Sequence, residues 1–417
     1  MAPINLDPSR VARPMLARHS LDLVSCTTLQ TLWAGYGHIC AITARATTPE
    51  AATRLSALCG VASQGIGTIY PLILKLIAPP RGTTGATEEE GHLRKMFSYE
   101  VEQCFYSEVV PQLADTVAVA RCVASTRGMA EREAEFPGLM ATIMVDLRPR
   151  FPVAGGRRSA LSPTQVHGAL AWLAGFHGGS RNLRPDNNWE AYVLPPLQES
   201  RRRQTRPDAG NGLWLNGGYT YLETRRKEYA ALAQDTESEW SDALCRESDG
   251  DSMSVAEMVA LVLSPCGRPM ESYIHGDVKS ENLFTTTQGT QVAFFDFQYV
   301  GLGLGVCDLA KLFTCSVPLE MLVDAGEPLP EQLTMQAGEK RLLEWYRTRL
   351  LEGEASDPYP WELFQRHWEV ALVDWCRFQA SWGFWGNTEW LEARVRSILN
   401  DQEWRDWLKV DISSRSG

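Results

Sequence analysis

The chain has 417 residues, 44% of them hydrophobic, enough for about two or three structural units around a sizeable core. Its net charge of -11 at pH 7 excludes a globally basic surface, and with it nucleic acid as the main partner. Ten cysteines without a CxxC pair exclude a disulfide framework, and no Cys/His spacing suits zinc. The first 20 residues hold no apolar run of signal-peptide length, although three arginines against one acid leave a transit-peptide reading open. No stretch approaches the ~18 apolar residues of a membrane span. A soluble cytoplasmic protein is the expectation.

In chain order, residues 1–29 read as an N-terminal extension. "LWAGYGHICAITARA" and "IYPLILKLIAP" follow as strands, rich in β-branched and apolar residues and bounded by Gly or Pro. "GTTGATEEEG", residues 82–91, is a polar loop. "LRKMFSYEVEQCFYSEVVPQL" has helical spacing, with Phe97, Val101, Cys104, Phe105 and Val109 on one stripe and Pro111 closing it. "LMATIMVDLRP" is another buried strand. Ser162 before Pro163 caps a helix that runs to Gly178. Residues 181–211 read as a long exposed loop whose RRR cluster is a solvated face or a phosphate contact. About the last hundred residues are helical and rich in tryptophan. Strands first and helices later predict an α+β protein of two lobes, residues 30–147 and 148–417.

The chemistry concentrates in "YIHGDVKSENLFTTTQGTQVAFFDFQYVG", residues 273–301. His275, Asp277 and Asn282 match H-x-D-x-x-x-x-N, the spacing of a kinase catalytic loop. One carboxylate must sit beside an acceptor hydroxyl and take its proton, while an amide oxygen a few residues on reaches a magnesium ion. "VAFFDFQ" then reads as a buried strand with Asp296 at its end, where a carboxylate can bind magnesium bridging nucleotide phosphates. The "TTTQGT" turn returns the chain, so Asp277 and Asp296 can face one site. Buried carboxylates this close need a cation between them. "GLGLG", residues 301–305, lacks the third glycine of a dinucleotide fingerprint and reads as a flexible segment.

HGD with its following Asn, DFQ, and "GVCDLAKLF" resemble the choline kinase and aminoglycoside phosphotransferase group, in particular its CHK kinase-like, ecdysteroid kinase-like branch. The resemblance spans roughly residues 30 to 395. It implies a two-lobed protein kinase-like fold, with a small antiparallel-sheet N-lobe and a larger helical C-lobe. It implies that Asp277 is the catalytic base and that Asn282 and Asp296 are magnesium ligands. Asp308 would brace the catalytic loop, with His275 a structural member of it. Lys279 stands where many relatives carry an aromatic residue. An ammonium there neutralises a transferring phosphoryl group, or is a solvated loop lysine.

Gly35 and Gly37 form a two-glycine turn suited to lie over phosphates, or a plain hairpin turn. Lys75, inside an apolar strand, needs a partner; Glu102 is favoured by the family's "ExxFY" helix, with Glu100 as runner-up. Met144, Val145 and Asp146 fall at the hinge against which adenine packs, with Val145 where many relatives have Glu. His177 reads as structural. Trp368, Trp375 and Trp382 recur every seven residues as core or as an acceptor wall, in which Asp374, Trp382 and Trp385 hold an amine. "NGLWLNGGYTYLETR" is a second candidate wall.

The function expected is transfer of phosphate from ATP, with Mg2+, to a hydroxyl of a small organic molecule. A nucleotide-binding pseudokinase or scaffold, or a protein kinase, are the alternatives. No nucleic-acid or membrane partner is expected.

Overall fold

The computed structural model of the chain describes residues 7–32, 35–62, 64–79, 89–127, 139–184, 189–207, 209–247, 253–324 and 328–415. Most of the polar loop expected over residues 82–91 lies outside them. The chain divides into two compact units: residues 1–113, 119–150 and 196–212, and residues 114–118, 151–195 and 213–417.

The first unit is built on a five-stranded antiparallel sheet. Helix α1 (Pro8–Ala17) leads into β1 (Leu21–Thr31), β2 (Gly37–Ala46), α2 (Pro49–Cys59), β3 (Ile69–Ile77), α3 (Glu90–Cys104), β4 (Cys122–Ser125) and β5 (Met140–Val145). The strand order is β1-β2-β3-β5-β4. On one face of β3, Tyr70, Leu72, Leu74 and Leu76 are buried in one core with Val11, Leu16, Ala52 and Leu55 of α1 and α2. Each such leucine stabilises the unit by roughly 2 kcal/mol. The other face of β3 carries Ile73, Lys75 and Ile77, and Ile77 packs with Tyr99 of α3.

Two expectations are corrected here. The segment read as an extension, residues 1–29, supplies α1 and β1, and β1 pairs along its length with β2. Among the described residues the first third holds three α-helices rather than one. The overlooked starts carry plain signals: Asp7 caps Ser9 ahead of α1, and Thr48 caps Ala51 ahead of α2, each followed by Pro in the first turn.

The second unit takes the chain through β6 (Val153–Ala154) and α4 (Pro163–Ser180), the latter opening on a Ser162–Gln165 capping box. The chain then contributes α5 (Pro196–Thr205) to the first unit. The loop read over residues 181–211 is thus partly a helix. Two arginines of its RRR cluster are engaged within the protein: Arg202 and Arg203 bond the buried Glu199, and Arg203 also bonds Glu100 at 2.7 Å, whereas Arg201 is exposed. Arg203 lies over the Phe97 ring of α3. A polar sequence hid this helix because its burial comes from ion pairs and ring contact, not from an apolar stripe.

The rest of the second unit comprises α6 (Arg226–Ala233), α7 (Val255–Leu263), β7 (Glu271–Ile274), β8 (Leu283–Thr285), β9 (Val292–Phe294), β10 (Gly301–Leu304) and α8 (Val306–Cys315). It ends in α9 (Leu319–Leu322), α10 (Ala337–Leu350), α11 (Trp361–Trp382), α12 (Thr388–Asn400) and α13 (Gln402–Arg415). Strands β6-β8-β9 form one small sheet, and β10-β7 another. The "GLGL" run is therefore not a flexible segment. It is β10, buried throughout and paired with β7; Gly301 lets the Trp214 and Gly217 backbone close on it, and Gly303 leaves room for the Ile274 side chain. The architecture is the α+β arrangement expected, a small antiparallel-sheet unit and a larger, mostly helical one. Among the described residues no helix is long and apolar enough to cross a membrane.

On α11, His367 is buried and its Nδ1 lies 2.7 Å from the Tyr359 hydroxyl. Burial, helped by the charges of Arg268 and Arg415, depresses its pKa to about 3. The unfolded chain takes up this proton near pH 6.5 and the folded one does not, so stability falls as pH drops below that value. Between pH 7 and pH 5 the loss from this group is about 2 kcal/mol. Denaturant unfolding of wild type and His367→Gln at both pH values checks this. Equal losses in the two proteins rule the assignment out.

Candidate active site

In the first unit, the sheet face opposite the main core places Lys75 toward α3. Lys75 is 8% exposed and forms a 2.5 Å ion pair with Glu102, itself 4% exposed. Its ammonium also lies 5.7 Å from the centre of the Tyr99 ring. Glu100 is engaged elsewhere, with Arg203, so the register favouring Glu102 is the one observed. The neighbouring Gln103 ties α3 to β5 through the Ala141 carbonyl at 2.9 Å.

Gly35 lies in the β1–β2 connection and Gly37 opens β2. Gly37 has φ +151°, and a Cβ there would meet the Leu76 carbonyl oxygen at 1.9 Å, so only glycine lets β2 begin this close to β3. Met144 is buried in β5, opposite Ile73. Val145 is half-buried and donates its N–H to Arg121. Asp146 is buried, and both of its oxygens bond the Arg148 guanidinium, the closest contact being 2.6 Å. Its carboxylate therefore holds the turn after β5.

In the second unit, β7 ends at Ile274 and the chain turns sharply at Gly276, φ +84°. A Cβ there would meet the Tyr299 carbonyl oxygen at 2.4 Å, which explains the glycine of HGD. Asp308, fully buried on α8, accepts the N–H groups of His275 at 2.7 Å and Gly276 at 2.9 Å. Burial alone pushes the Asp308 carboxyl up, but His177, Lys311 and His275 outweigh it, and the group stays below its ordinary pKa. His177 lies 3.1 Å from that carboxylate through Nε2 and 2.7 Å from the Tyr346 hydroxyl through Nδ1. Lys311, one turn beyond Asp308, donates to the Gly276 carbonyl at 2.9 Å.

His275 is buried, and burial holds its pKa below the usual value, so it is neutral. The Asp277 N–H donates to its Nδ1 at 3.2 Å, which leaves Nε2 to donate to the Phe295 carbonyl at 3.0 Å. The imidazole thus links the loop carrying Asp277 to the strand end carrying Asp296.

Asp277 is 9% exposed. Burial raises its pKa; Lys279 pulls it down, and Asp296 adds to the rise. The two carboxylates are therefore near enough to act on each other. Asn282 donates through Nδ2 to the Asp277 carbonyl and to Oδ2, both at 2.9 Å. This fixes the flip of its amide and leaves the oxygen as the open end. Lys279 lies 3.2 Å from Asp277 Oδ2 and 3.2 Å from Glu281. Burial lowers its pKa, but these two carboxylates more than offset that, and the group stays protonated.

Asp296 sits in the left-handed region at φ +66°, one of three non-glycine residues there among those described. Such a conformation costs on the order of 1 kcal/mol and is characteristic of functional positions. The Phe295 N–H bonds the Asn282 carbonyl at 3.0 Å, so backbone pairing brings the two candidate ligands together. Among the described residues no three His, Cys, Asp or Glu side chains form a metal cage. An amide oxygen and a carboxylate suit magnesium, which takes one or two protein oxygens and fills its remaining positions with phosphate and water.

Asp277, Lys279 and Glu281 open onto a cavity of about 340 Å3, lined also by Tyr219, Lys311, Trp375, Trp382 and Trp385. The tryptophan repeat divides along α11. Trp368 is wholly buried, with its Nε1 on Glu339, whereas Trp375 and Trp382 reach the cavity. The amine-binding role suggested for Asp374 is not supported. It lies outside this cavity, and its Oδ1 is held by Arg377 at 2.8 and 3.0 Å. Tyr219 places the 211–225 segment on the cavity wall. Lys311 and Tyr219 were not singled out from sequence. Lys311 had a signal, lying three residues after Asp308 on one helix face; Tyr219 had none beyond its aromatic surroundings.

The ecdysteroid kinase-like family matches the chain over residues 81–331, which include Glu102 and the loop from His275 to Asp308 but not Lys75. No curated protein matches it in sequence. Among solved structures, an ethanolamine kinase from Plasmodium vivax is 11% identical with TM-score 0.39, covering 93% of this chain and 84% of that one. A macrolide 2'-phosphotransferase from Brachybacterium faecium is 13% identical with TM-score 0.39, covering 90% and 98%. A putative aminoglycoside phosphotransferase from Ralstonia eutropha is 14% identical with TM-score 0.38, covering 92% and 93%. At these scores the structural likenesses add no argument to the family match.

Proposed function

Because the chain belongs to the ecdysteroid kinase-like family, we propose that it is a small-molecule kinase. It transfers the γ-phosphoryl group of ATP, with magnesium, to a hydroxyl of an organic acceptor. The observation that carries this reading is Asp277. It is a buried carboxylate of raised proton affinity beside an aromatic-walled cavity, with Asn282 bonded to it and Asp296 acting on its charge.

In the proposed step the acceptor hydroxyl lies against Asp277. Its proton passes to that carboxylate while its oxygen bonds the γ-phosphorus. The bond from phosphorus to the β,γ-bridging oxygen breaks, and ADP leaves. Lys279, held protonated by Asp277 and Glu281, supplies positive charge beside the group in transfer. Asn282 and Asp296 would hold magnesium, which when bound neutralises charge on the triphosphate. His275 and Asp308 keep the loop in shape and touch no reactant. In the first unit, Lys75 oriented by Glu102 binds phosphate, Met144 and Val145 receive adenine, and the Gly35–Gly37 turn covers the nucleotide. Asp146 acts only by holding its turn.

The test is mass spectrometry of metabolite extracts incubated with the protein and MgATP. A hydroxyl compound should gain one phosphate, and the gain should vanish in Asp277→Asn. MgATP binding with no transfer to any acceptor would identify a nucleotide-binding scaffold instead.

Lys75→Met keeps the apolar stem and removes the charge, so ATP affinity or kcat/KM should fall about 10–100-fold, the range of a lost charged hydrogen bond. The variant also takes the ammonium counter-charge away from the buried Glu102 carboxylate, which destabilises the fold. Adding Glu102→Gln should restore the melting temperature but not the use of ATP. Recovery of both by the double variant would confine the pair to a structural role.

A further inference from the structure

The cavity beside Asp277 carries charge of an unexpected sign. Its lining includes four cationic side chains, Arg157, Arg158, Lys279 and Lys311, against two carboxylates, Asp277 and Glu281. Lys279 bridges both carboxylates at 3.2 Å, and Lys311 is bonded to the Gly276 carbonyl. The guanidinium groups of Arg157 and Arg158 make no ion pair among the described residues. Both carboxylates of the lining are thus already paired with an ammonium. The Trp382 ring, the obvious cation–π surface, already has the Arg225 guanidinium 5.3 Å from its centre.

The backbone that carries the two arginines is fastened in place, while both side chains are exposed. The Gly155 N–H bonds the Leu283 carbonyl at 3.0 Å, the Ser280 hydroxyl bonds the Gly156 carbonyl at 2.8 Å, and the Arg158 N–H bonds Glu281 at 3.2 Å. Three bonds therefore join residues 155–158 to the segment from Ser280 to Leu283. Arg158 itself sits at φ +52°, a conformation a non-glycine residue keeps only when its surroundings hold it. Glu281, which accepts from Arg158 and pairs with Lys279, connects the arginines to the loop that carries Asp277.

We propose that the acceptor is a ring-bearing alcohol with an anionic group at the end remote from the hydroxyl. The hydroxyl meets Asp277, the ring lies against the tryptophan wall, and the anion meets Arg157 and Arg158. This deepens the kinase reading and rests on it for the position of the hydroxyl. The charge preference itself is a property of the cavity and is measured by binding alone.

Three matched probes test it by calorimetry: 4-(hydroxymethyl)benzoate, 4-(hydroxymethyl)benzamide and 4-(hydroxymethyl)benzylamine. The carboxylate should bind tightest and the ammonium weakest, with about tenfold between them at low ionic strength, shrinking as salt is raised. Arg157→Gln with Arg158→Asn should bring the carboxylate to the level of the amide and leave the amide unchanged; asparagine tolerates the backbone of position 158. Arg157→Gln alone, in ordinary backbone, should give part of the same change. Equal or tighter binding of the ammonium, no binding of any probe, or equal weakening of all three in the variants overturns the proposal. If the order holds but no probe or extract compound is phosphorylated, the kinase reading fails and the charge preference stands.

Discussion

Asp277→Asn should leave nucleotide affinity close to wild type while turnover falls about 10²–10⁴-fold, the usual range for loss of a general base. The substitution is nearly isosteric. An amide oxygen at Oδ2 still accepts from Asn282, 2.9 Å away, and still faces Lys279 at 3.2 Å. The backbone is held independently by Asp308 and His275. Removing the charge also relieves repulsion from Asp296, which now raises the Asp277 pKa. Melting temperature should therefore hold or rise slightly, so lost turnover is not lost fold. Single-turnover rates with saturating MgATP, beside an ATP titration, separate the two quantities. Turnover near wild type would remove Asp277 from the chemistry.

The second large effect is expected at Asp296. Asp296→Asn should reduce kcat by about a hundredfold or more and bring the ratio of ATP affinities with and without magnesium toward one. Asparagine is chosen because position 296 has φ +66°, which asparagine tolerates and alanine does not. Asp296→Ala should lose the same function and be less stable as well, by about 1 kcal/mol. The difference in melting temperature between the two variants then reports backbone strain apart from metal binding. An Asn variant that keeps the wild-type magnesium ratio would dismiss Asp296 as a ligand.

Some of this protein was legible from local sequence because it depends on spacing along one short stretch. His275, Asp277 and Asn282 are fixed relative to one another by eight residues of loop, and the β8–β9 hairpin returns the chain to Asp296. Lys75 in an apolar strand demanded a counter-charge, and Glu102 met it at 2.5 Å. The apolar, β-branched run "IYPLILKLIAP" likewise announced β3.

Other features were set by partners distant in sequence, and local spacing does not carry that information. The polar helix Pro196–Thr205 exists as a packed element because Glu199, Glu100 and Phe97 receive its arginines. The glycines of Gly301–Leu304 looked mobile until β7 paired with them. Trp368 and Trp382 are equivalent in the seven-residue repeat, yet one is buried and the other is 60% exposed beside a cavity. Asp374 was a plausible amine ligand in sequence and belongs to Arg377 in space. Residue types and their intervals determined the kinase-like motif and where along the chain it lies. Only tertiary packing decided which charges are already paired and which stay open to a cavity, because pairing depends on distance through space.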